Sequence, residues 1–275
     1  MKIYNEMIDL KDKTLVIGFF DAFHFGHLKI MESAKYPIVV LTFKSIFSKT
    51  KPLYSFEKRI ETLEENNIKE VICLDLDLKD YSAQRFIDEF LIKSAPKEIV
   101  VGDNFYFGND HSHAEYLKKD FDVNIISLLK DHSSTNIKKL IIDGNIENAN
   151  KLLVKNYSYS NVVKKGNRFG TEFLYPTANL EIDNNCINIK YGVYYTTTLY
   201  NDKNYPSLTF IGKPKTVVDN NYRIENHILD FDENIYDKEI TIIFNSKIAD
   251  IVKAESIPDL KKLIKKYIDI VKNKI

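Results

Sequence analysis

Two histidines three residues apart, His24 and His27, carry the strongest chemical signal in this sequence. They end the run Gly18-Phe19-Phe20-Asp21-Ala22-Phe23-His24-Phe25-Gly26-His27, which follows an apolar strand pattern and leads into a helix near Gly26. A helix start offers unpaired N–H groups and the positive end of a dipole, which suits a triphosphate. Imidazoles at i and i+3 can face one phosphate and offset charge building on a departing pyrophosphate. Gly26 would let backbone approach such a ligand. The same spacing also serves a pair that caps a helix or binds a stray metal, and that alternative stays open.

A second group lies far along the chain. Pro176-Thr177-Ala178-Asn179 places a hydroxyl and an amide oxygen close together, two hard oxygens able to hold Mg²⁺ with a nucleotide. On its own the tetrapeptide also reads as a turn opened by Pro-Thr. Downstream, Glu225-Asn226-His227 sits in a strand pattern, so alternation puts Glu225 and His227 on one face and Asn226 on the other. Read from residue types and alternation alone, the two are a surface Glu–His pair.

These residues need a scaffold, and the pattern supplies two. In the first half, apolar runs at Thr14–Phe20, Ile38–Phe43, Glu70–Leu74, Glu98–Val101 and Val123–Leu128 read as strands. Phe56–Glu65 and Ala83–Ser94 read as amphipathic helices between them, which predicts a parallel sheet covered on both faces. From about Tyr157 the character changes. Tyr191–Tyr200, Tyr205–Ile211, Arg223–Phe231 and Glu239–Phe244 read as antiparallel strands of a small barrel or sandwich, followed by a helix at Ile257–Lys272. The expected domains are residues 1–156 and 157–275.

Composition narrows the class. Lys+Arg and Asp+Glu balance at 39 each, so no net field draws the chain to nucleic acid or membrane. No apolar run reaches the roughly 18 residues of a membrane span, and no signal peptide is read at the start. Cys73 and Cys186 have no CxxC spacing, which argues against a disulfide framework or zinc site and for the cytoplasm.

The first histidine segment resembles the GxFDGxHxGH stretch of the bacterial bifunctional riboflavin kinase/FAD synthetase family, within the wider HxGH nucleotidyltransferases. Val100 to Gly108 resembles that family's VGxDFxFG loop, Ser133 to Lys138 its SSTxIR segment, and Gly144 to Ala149 its following helix. Thr177 and Asn179 lie in its PTAN signature, Tyr191 to Tyr194 is similar to its GVY strand, and Glu225 to Asp232 to its ExHLLDFD strand. The resemblance implies a Rossmann-like nucleotidyltransferase domain followed by a riboflavin kinase β-barrel with a terminal helix. Riboflavin and ATP would give FMN, and FMN and ATP would give FAD, with Mg²⁺. The partners would be small molecules only. It further implies that His24 and His27 act on ATP phosphates within a loop including Gly18, Phe20, Asp21 and Gly26. Gly102, Asp103, Phe105 and Phe107 would line the adenine or flavin pocket, with core packing an equal reading for the aromatics. Ser134, Thr135 and Lys138 would hold the outer phosphates. Gly166 and Gly170 would belong to a flap over the second nucleotide, Thr177 and Asn179 would ligate Mg²⁺, and Glu225 would take the proton from the ribityl 5′-hydroxyl.

Several positions depart from the family pattern. Phe19 stands for Asn, Ala22 for Gly and Lys138 for Arg, and Thr42 to Phe47 lacks the family's Pro-His pair. In the second half Thr171 and Leu174 replace the Arg and Gly before PTAN, and Phe210 stands for Asn. The sequence therefore keeps two alternatives beside the bifunctional enzyme. In one only a single activity survives, kinase slightly favoured; in the other the chain is a flavin- or nucleotide-binding regulator without turnover.

Overall fold

The computed structural model describes residues 1–44, 51–76, 80–127, 132–165, 175–212, 223–252 and 254–274. The chain divides into two compact units, Met1–Ile137 with Asn185–Ile187, and Lys138–Asn184 with Asn188–Ile275.

The first unit carries β1 (Lys2–Tyr4), β2 (Thr14–Ile17), α1 (Phe25–Glu32), β3 (Ile38–Phe43), α2 (Phe56–Glu65) and β4 (Glu70–Leu74). Then come α3 (Ala83–Phe86), a π turn (Ile87–Leu91) and α4 (Ile92–Ser94), followed by β5 (Glu98–Gly102), the hairpin β6 (Tyr106–Phe107) and β7 (Ser112–His113), and β8 (Val123–Ile126). Six strands form one sheet in the order β1-β4-β3-β2-β5-β8, and every pairing is parallel. The central strands are buried almost throughout, as their unbroken Val, Ile and Leu predict. From β2 the chain winds outward to β3 and β4, then returns past β2 to β5 and β8. The winding reverses between β2 and β5, so a crevice opens at the carboxyl ends of those two strands. Both the Gly18–His27 segment and the loop after Gly102 emerge there.

Three sequence expectations are adjusted. The strand expected over Thr14–Phe20 stops at Ile17, because Phe20 and Ala22 take left-handed φ of 54° each. The strand expected to reach Leu128 ends at Ile126, and Leu128 lies outside the described residues. The helix over 83–94 contains the π turn, whose extra residue keeps Phe86, Ile87 and Leu91 all buried. The short edge strand β1 has too few residues for a period and was not foreseen.

In the second unit, α5 (Ser134–Ile142), which begins in the first unit, is followed by α6 (Ile146–Leu152), β9 (Ser158–Val162) and β10 (Ala178–Glu181). Next come β11 (Gly192–Tyr200), β12 (Lys203–Gly212), β13 (Arg223–Ile228), β14 (Glu239–Ala249) and α7 (Ile257–Lys272). The sheet order is β10-β13-β12-β11-β14-β9, all antiparallel. The Lys164 N–H bonds the Asn179 carbonyl at 2.8 Å, and this bridge nearly closes the sheet into a barrel. Register shifts between β11 and β14, at Val193/Tyr194 and Tyr195/Thr196, bend the strands as closure needs. The strands β9 and β10 were not foreseen, being short and polar. The helix α7, capped by Ser256 with Pro258 in its first turn, lays Ile264, Tyr267, Ile268 and Val271 against Val193, Leu208 and Leu229. Among the described residues no helix is long and apolar enough to cross a membrane.

Candidate functional site

At the first crevice His24 is the N-cap of α1, and the two histidines cap the helix reciprocally. His24 Nδ1 accepts the His27 N–H at 3.3 Å, and His27 Nδ1 accepts the His24 N–H at 3.5 Å. The rings stack with centroids 3.8 Å apart. Because each Nδ1 accepts, each neutral ring carries its proton on Nε2, which is left as a donor. Capping and phosphate contact are therefore compatible, using different nitrogens of the same rings. Burial, with the nearby His132 adding to it, lowers the His24 pKa to about 4; burial and then His24 hold His27 well below its ordinary value. The pair is uncharged at neutral pH, so it would offset phosphate charge by hydrogen-bond donation.

The neighbouring residues build this arrangement. A Cβ on Gly26 would come within 2.9 Å of His24 Cε1 and Nδ1, so the ring position requires glycine. A Cβ on Gly18 would meet the Phe20 ring at 2.8 Å, and Phe20 in turn packs edge-on to His27 at 5.1 Å. The Asp21 carboxylate accepts the N–H groups of Leu53 (2.9 Å) and Tyr54 (3.2 Å), and its carbonyl accepts the Ser134 hydroxyl at 2.6 Å. Ser134 is thereby tied to the histidine loop, while Thr135 is exposed and Lys138 lies about one turn further along α5. After β5, Asp103 accepts the Ser127 hydroxyl at 3.0 Å. Phe105 and Phe107 stack at 5.6 Å; Phe107 belongs to the core and Phe105 is half-buried beside it. Gly102 closes β5 and is buried.

Sequence reasoning missed two residues here. His132 precedes Ser133, lies close to Gly26 through its carbonyl, and has a buried Nδ1 with no hydrogen-bond partner. Arg59 is 2% exposed on α2; its guanidinium donates to the carbonyls of Phe19 (2.8 Å), Phe43 (2.9 Å) and Lys44 (3.0 Å). It also covers the Phe19 ring at 3.7 Å, so the departure at Phe19 supplies a platform for this cation. A signal existed: Arg59 shares the apolar stripe of α2 with Phe56, Ile60 and Leu63. Burial lowers its pKa to about 10, still charged at neutral pH. Arg59→Met is expected to lose about 3 kcal/mol, since buried acceptors are left unpaired. Faster hydrogen exchange of the β2 and β3 amides would register that loss; unchanged exchange would refute it.

The buried pair predicts a second effect. A histidine with a depressed folded pKa contributes stability that is present above the unfolded value of 6.5 and lost as pH falls toward 4. For His24 the loss amounts to about 3 kcal/mol. Denaturant midpoints for the first unit should fall between pH 7 and pH 4.5, with a smaller fall in His24→Asn.

In the second unit β10 and β13 pair so that Asn179 stands opposite Glu225 and Ala178 opposite Asn226. This cross-strand pair joins two residues chosen separately in the sequence. The Asn179 side-chain N–H bonds the Thr177 carbonyl at 3.2 Å, which turns the amide oxygen away from that bond. His227 Nδ1 bonds the Pro176 carbonyl at 2.8 Å, so it carries the proton there, and the Tyr175 ring lies 5.1 Å from the imidazole. Glu225 and His227 indeed share one face while Asn226 is fully buried. Burial raises the Glu225 pKa, opposed by Arg223, and lowers that of His227 against the Pro176 bond. Gly166, Gly170, Thr171 and Leu174, and Ser45 to Phe47 in the first unit, lie outside the described residues.

Comparison with known proteins accords with both units. Residues 7–139 match the family described as FAD synthetase, and residues 153–275 the family described as riboflavin kinase. The chain is 37% identical over 257 residues to the trifunctional protein RibF/MnmA of Mycoplasmoides gallisepticum, covering 92% of this chain but 39% of that protein. It is 31% identical to the bifunctional riboflavin kinase/FMN adenylyltransferase of Mycoplasma pneumoniae, over 92% of this chain and 93% of that one. A crystal structure from Streptococcus pneumoniae, described as a macrolide-efflux protein, superposes with a TM-score of 0.88 at 27% identity, covering 99% of this chain and 98% of that one. With one transferase domain following the other, the chain belongs to the bifunctional riboflavin kinase/FMN adenylyltransferase family.

Proposed function

We propose that this chain phosphorylates riboflavin to FMN in residues 157–275 and adenylylates FMN to FAD in residues 1–156. The observation that carries the kinase half is the Asn179–Glu225 cross-strand pair, which sets a desolvated carboxylate beside a hard-oxygen ligand. Glu225 accepts the proton of the ribityl 5′-hydroxyl as that oxygen bonds to the γ-phosphorus of ATP and ADP leaves. Thr177 and Asn179 would hold Mg²⁺. Hydroxyl and amide oxygens suit a hard ion. When bound, Mg²⁺ would offset the charge of the phosphate oxygens. Gly166 and Gly170 would cover the nucleotide.

In the other half an FMN phosphate oxygen attacks the α-phosphorus of ATP and pyrophosphate departs. The Nε2–H groups of His24 and His27 donate to phosphate oxygens at the start of α1, where the helix dipole favours anions. Ser134, Thr135 and Lys138 would hold the outer phosphates. Gly18, Phe20, Asp21 and Gly26 shape the loop, and Gly102, Asp103, Phe105 and Phe107 border the base or flavin. Buried thiols at Cys73 and Cys186 are in keeping with the cytoplasm.

A chromatographic time course from riboflavin, ATP and Mg²⁺ tests the whole reading. FMN should appear first and FAD later, with ADP and pyrophosphate as co-products. Accumulation of FMN without FAD would leave a kinase alone, and flavin binding without either product would leave a regulator.

A further inference from the structure

Inside the barrel of the second unit, five polar residues are 0% exposed: Thr196, Thr198, Ser207, Thr209 and Asn226. Their bonds form a circuit. Asn226 Nδ2 donates to Thr209 Oγ1 (2.9 Å), and Asn226 Oδ1 accepts from Thr198 (2.9 Å). Thr209 and Thr196 lie 2.7 Å apart, Thr196 and Ser207 2.8 Å, and Ser207 and Thr198 2.9 Å. Each hydroxyl has one proton, and an amide oxygen only accepts. Thr198 Oγ1 lies within reach of both Asn226 Oδ1 and Ser207 Oγ but has one proton; with that proton on the amide oxygen, which can only accept, Ser207 donates to Thr198, Thr196 to Ser207 and Thr209 to Thr196, while Thr196 Oγ1 also lies 3.2 Å from the Ser207 carbonyl. Each hydroxyl proton is then used once and one N–H of the Asn226 amide enters the ring, which runs one way across β11, β12 and β13.

The ring resolves an ambiguity that apolar packing leaves. A one-residue slip of β13 would turn Asn226 outward and is excluded by the pleat. A two-residue slip keeps Ile224 and Ile228 facing inward, so the pleat does not oppose it, but the amide between them, which needs two specific hydroxyl partners, does. Such a slip would carry Glu225 about 7 Å along the strand, away from Asn179. We propose that this hydroxyl–amide ring makes Asn226 a positioning residue for phosphoryl transfer, holding β13 in the register that sets Glu225 opposite Asn179. The inference rests on the kinase reading above.

The test compares isosteric with hydroxyl-retaining variants, reading total FMN plus FAD formed from riboflavin by the full chain. Thr198→Val should lower kcat about tenfold, with KM for riboflavin and ATP changed less than about twofold. Thr198→Ser should restore the rate. Thr209→Val opens the ring on the other side of the amide, so it should lose as much, and it decides the matter if Thr198→Val does not fold. The double variant should lose about tenfold, not a hundredfold, because a ring already open has no second closure to lose. Thr241→Val serves as comparator: it removes the 2.8 Å Ser160–Thr241 bond between β9 and β14 and should leave kcat intact. Unchanged kcat in both valine variants, or an equal loss in the comparator, would overturn the proposal. Glu225→Gln run in parallel separates the two levels. If it keeps full turnover, the kinase assignment falls; if it loses turnover while the valine variants do not, only the ring's role falls.

Discussion

Glu225→Gln is expected to reduce FMN formation from riboflavin and ATP by about 10²–10⁴-fold, the usual worth of a general base. The side chain keeps its shape and loses only its ability to take a proton, so riboflavin should still bind. FAD formation from supplied FMN should continue, since the site proposed for that chemistry lies in the first unit. Burial raises the Glu225 pKa, so the wild-type kinase rate should fall with acidification at a pH above the ordinary carboxylate value. The stability consequence has the opposite sign to that of a salt-bridged carboxylate. With its folded pKa raised, Glu225 contributes stability below the unfolded value and loses it as pH rises through the folded value. Above that point an ionised, desolvated carboxylate burdens the fold, and Gln removes the burden. The variant should therefore be at least as stable as wild type at pH 8 while nearly inactive as a kinase. Flavin chromatography with a thermal melt at pH 8 reads both; retained kinase turnover would remove Glu225 from the mechanism.

The second large effect concerns the histidine pair. His24→Asn keeps a good N-cap, because Asn accepts the same backbone N–H, yet it deletes the Nε2 donor. FAD formation from FMN and ATP should fall about 10²–10³-fold, the typical loss for one preorganised donor to a developing anion. FMN formation from riboflavin should be unchanged, which makes each activity the internal control for the other. His27→Asn should behave alike in rate. If His24→Asn retained FAD synthesis with a native melt, the pair would be a helix cap and nothing more. A variant that lost synthesis and stability together would point the same way.

Much of this protein was legible because the relevant information is local. Burial on both faces gives strands such as Ile38–Phe43 and Glu70–Leu74 unbroken apolar runs, and their bounds agree with the structure. The stripe of α7 and the alternation of Glu225 and Asn226 follow from periods that any short window contains. The motif positions were legible for the same reason, as contiguous residues.

Contacts between distant segments were decided by the tertiary structure. Asn179 meets Glu225 across 46 positions of sequence only because β10 and β13 are hydrogen-bonded neighbours. Arg59 reaches the carbonyls of Phe19 and Phe43 only once the parallel sheet has stacked those strand ends beneath α2. The neutrality of His24 and His27 comes from burial, which a sequence window does not contain. The ring through Asn226 needs three strands in register, so its members read singly as ordinary β-sheet Thr, Ser and Asn. Residue type and short-range period thus wrote the elements and the candidate chemistry into the sequence, while partner, register and protonation state waited on which surfaces folding removed from water.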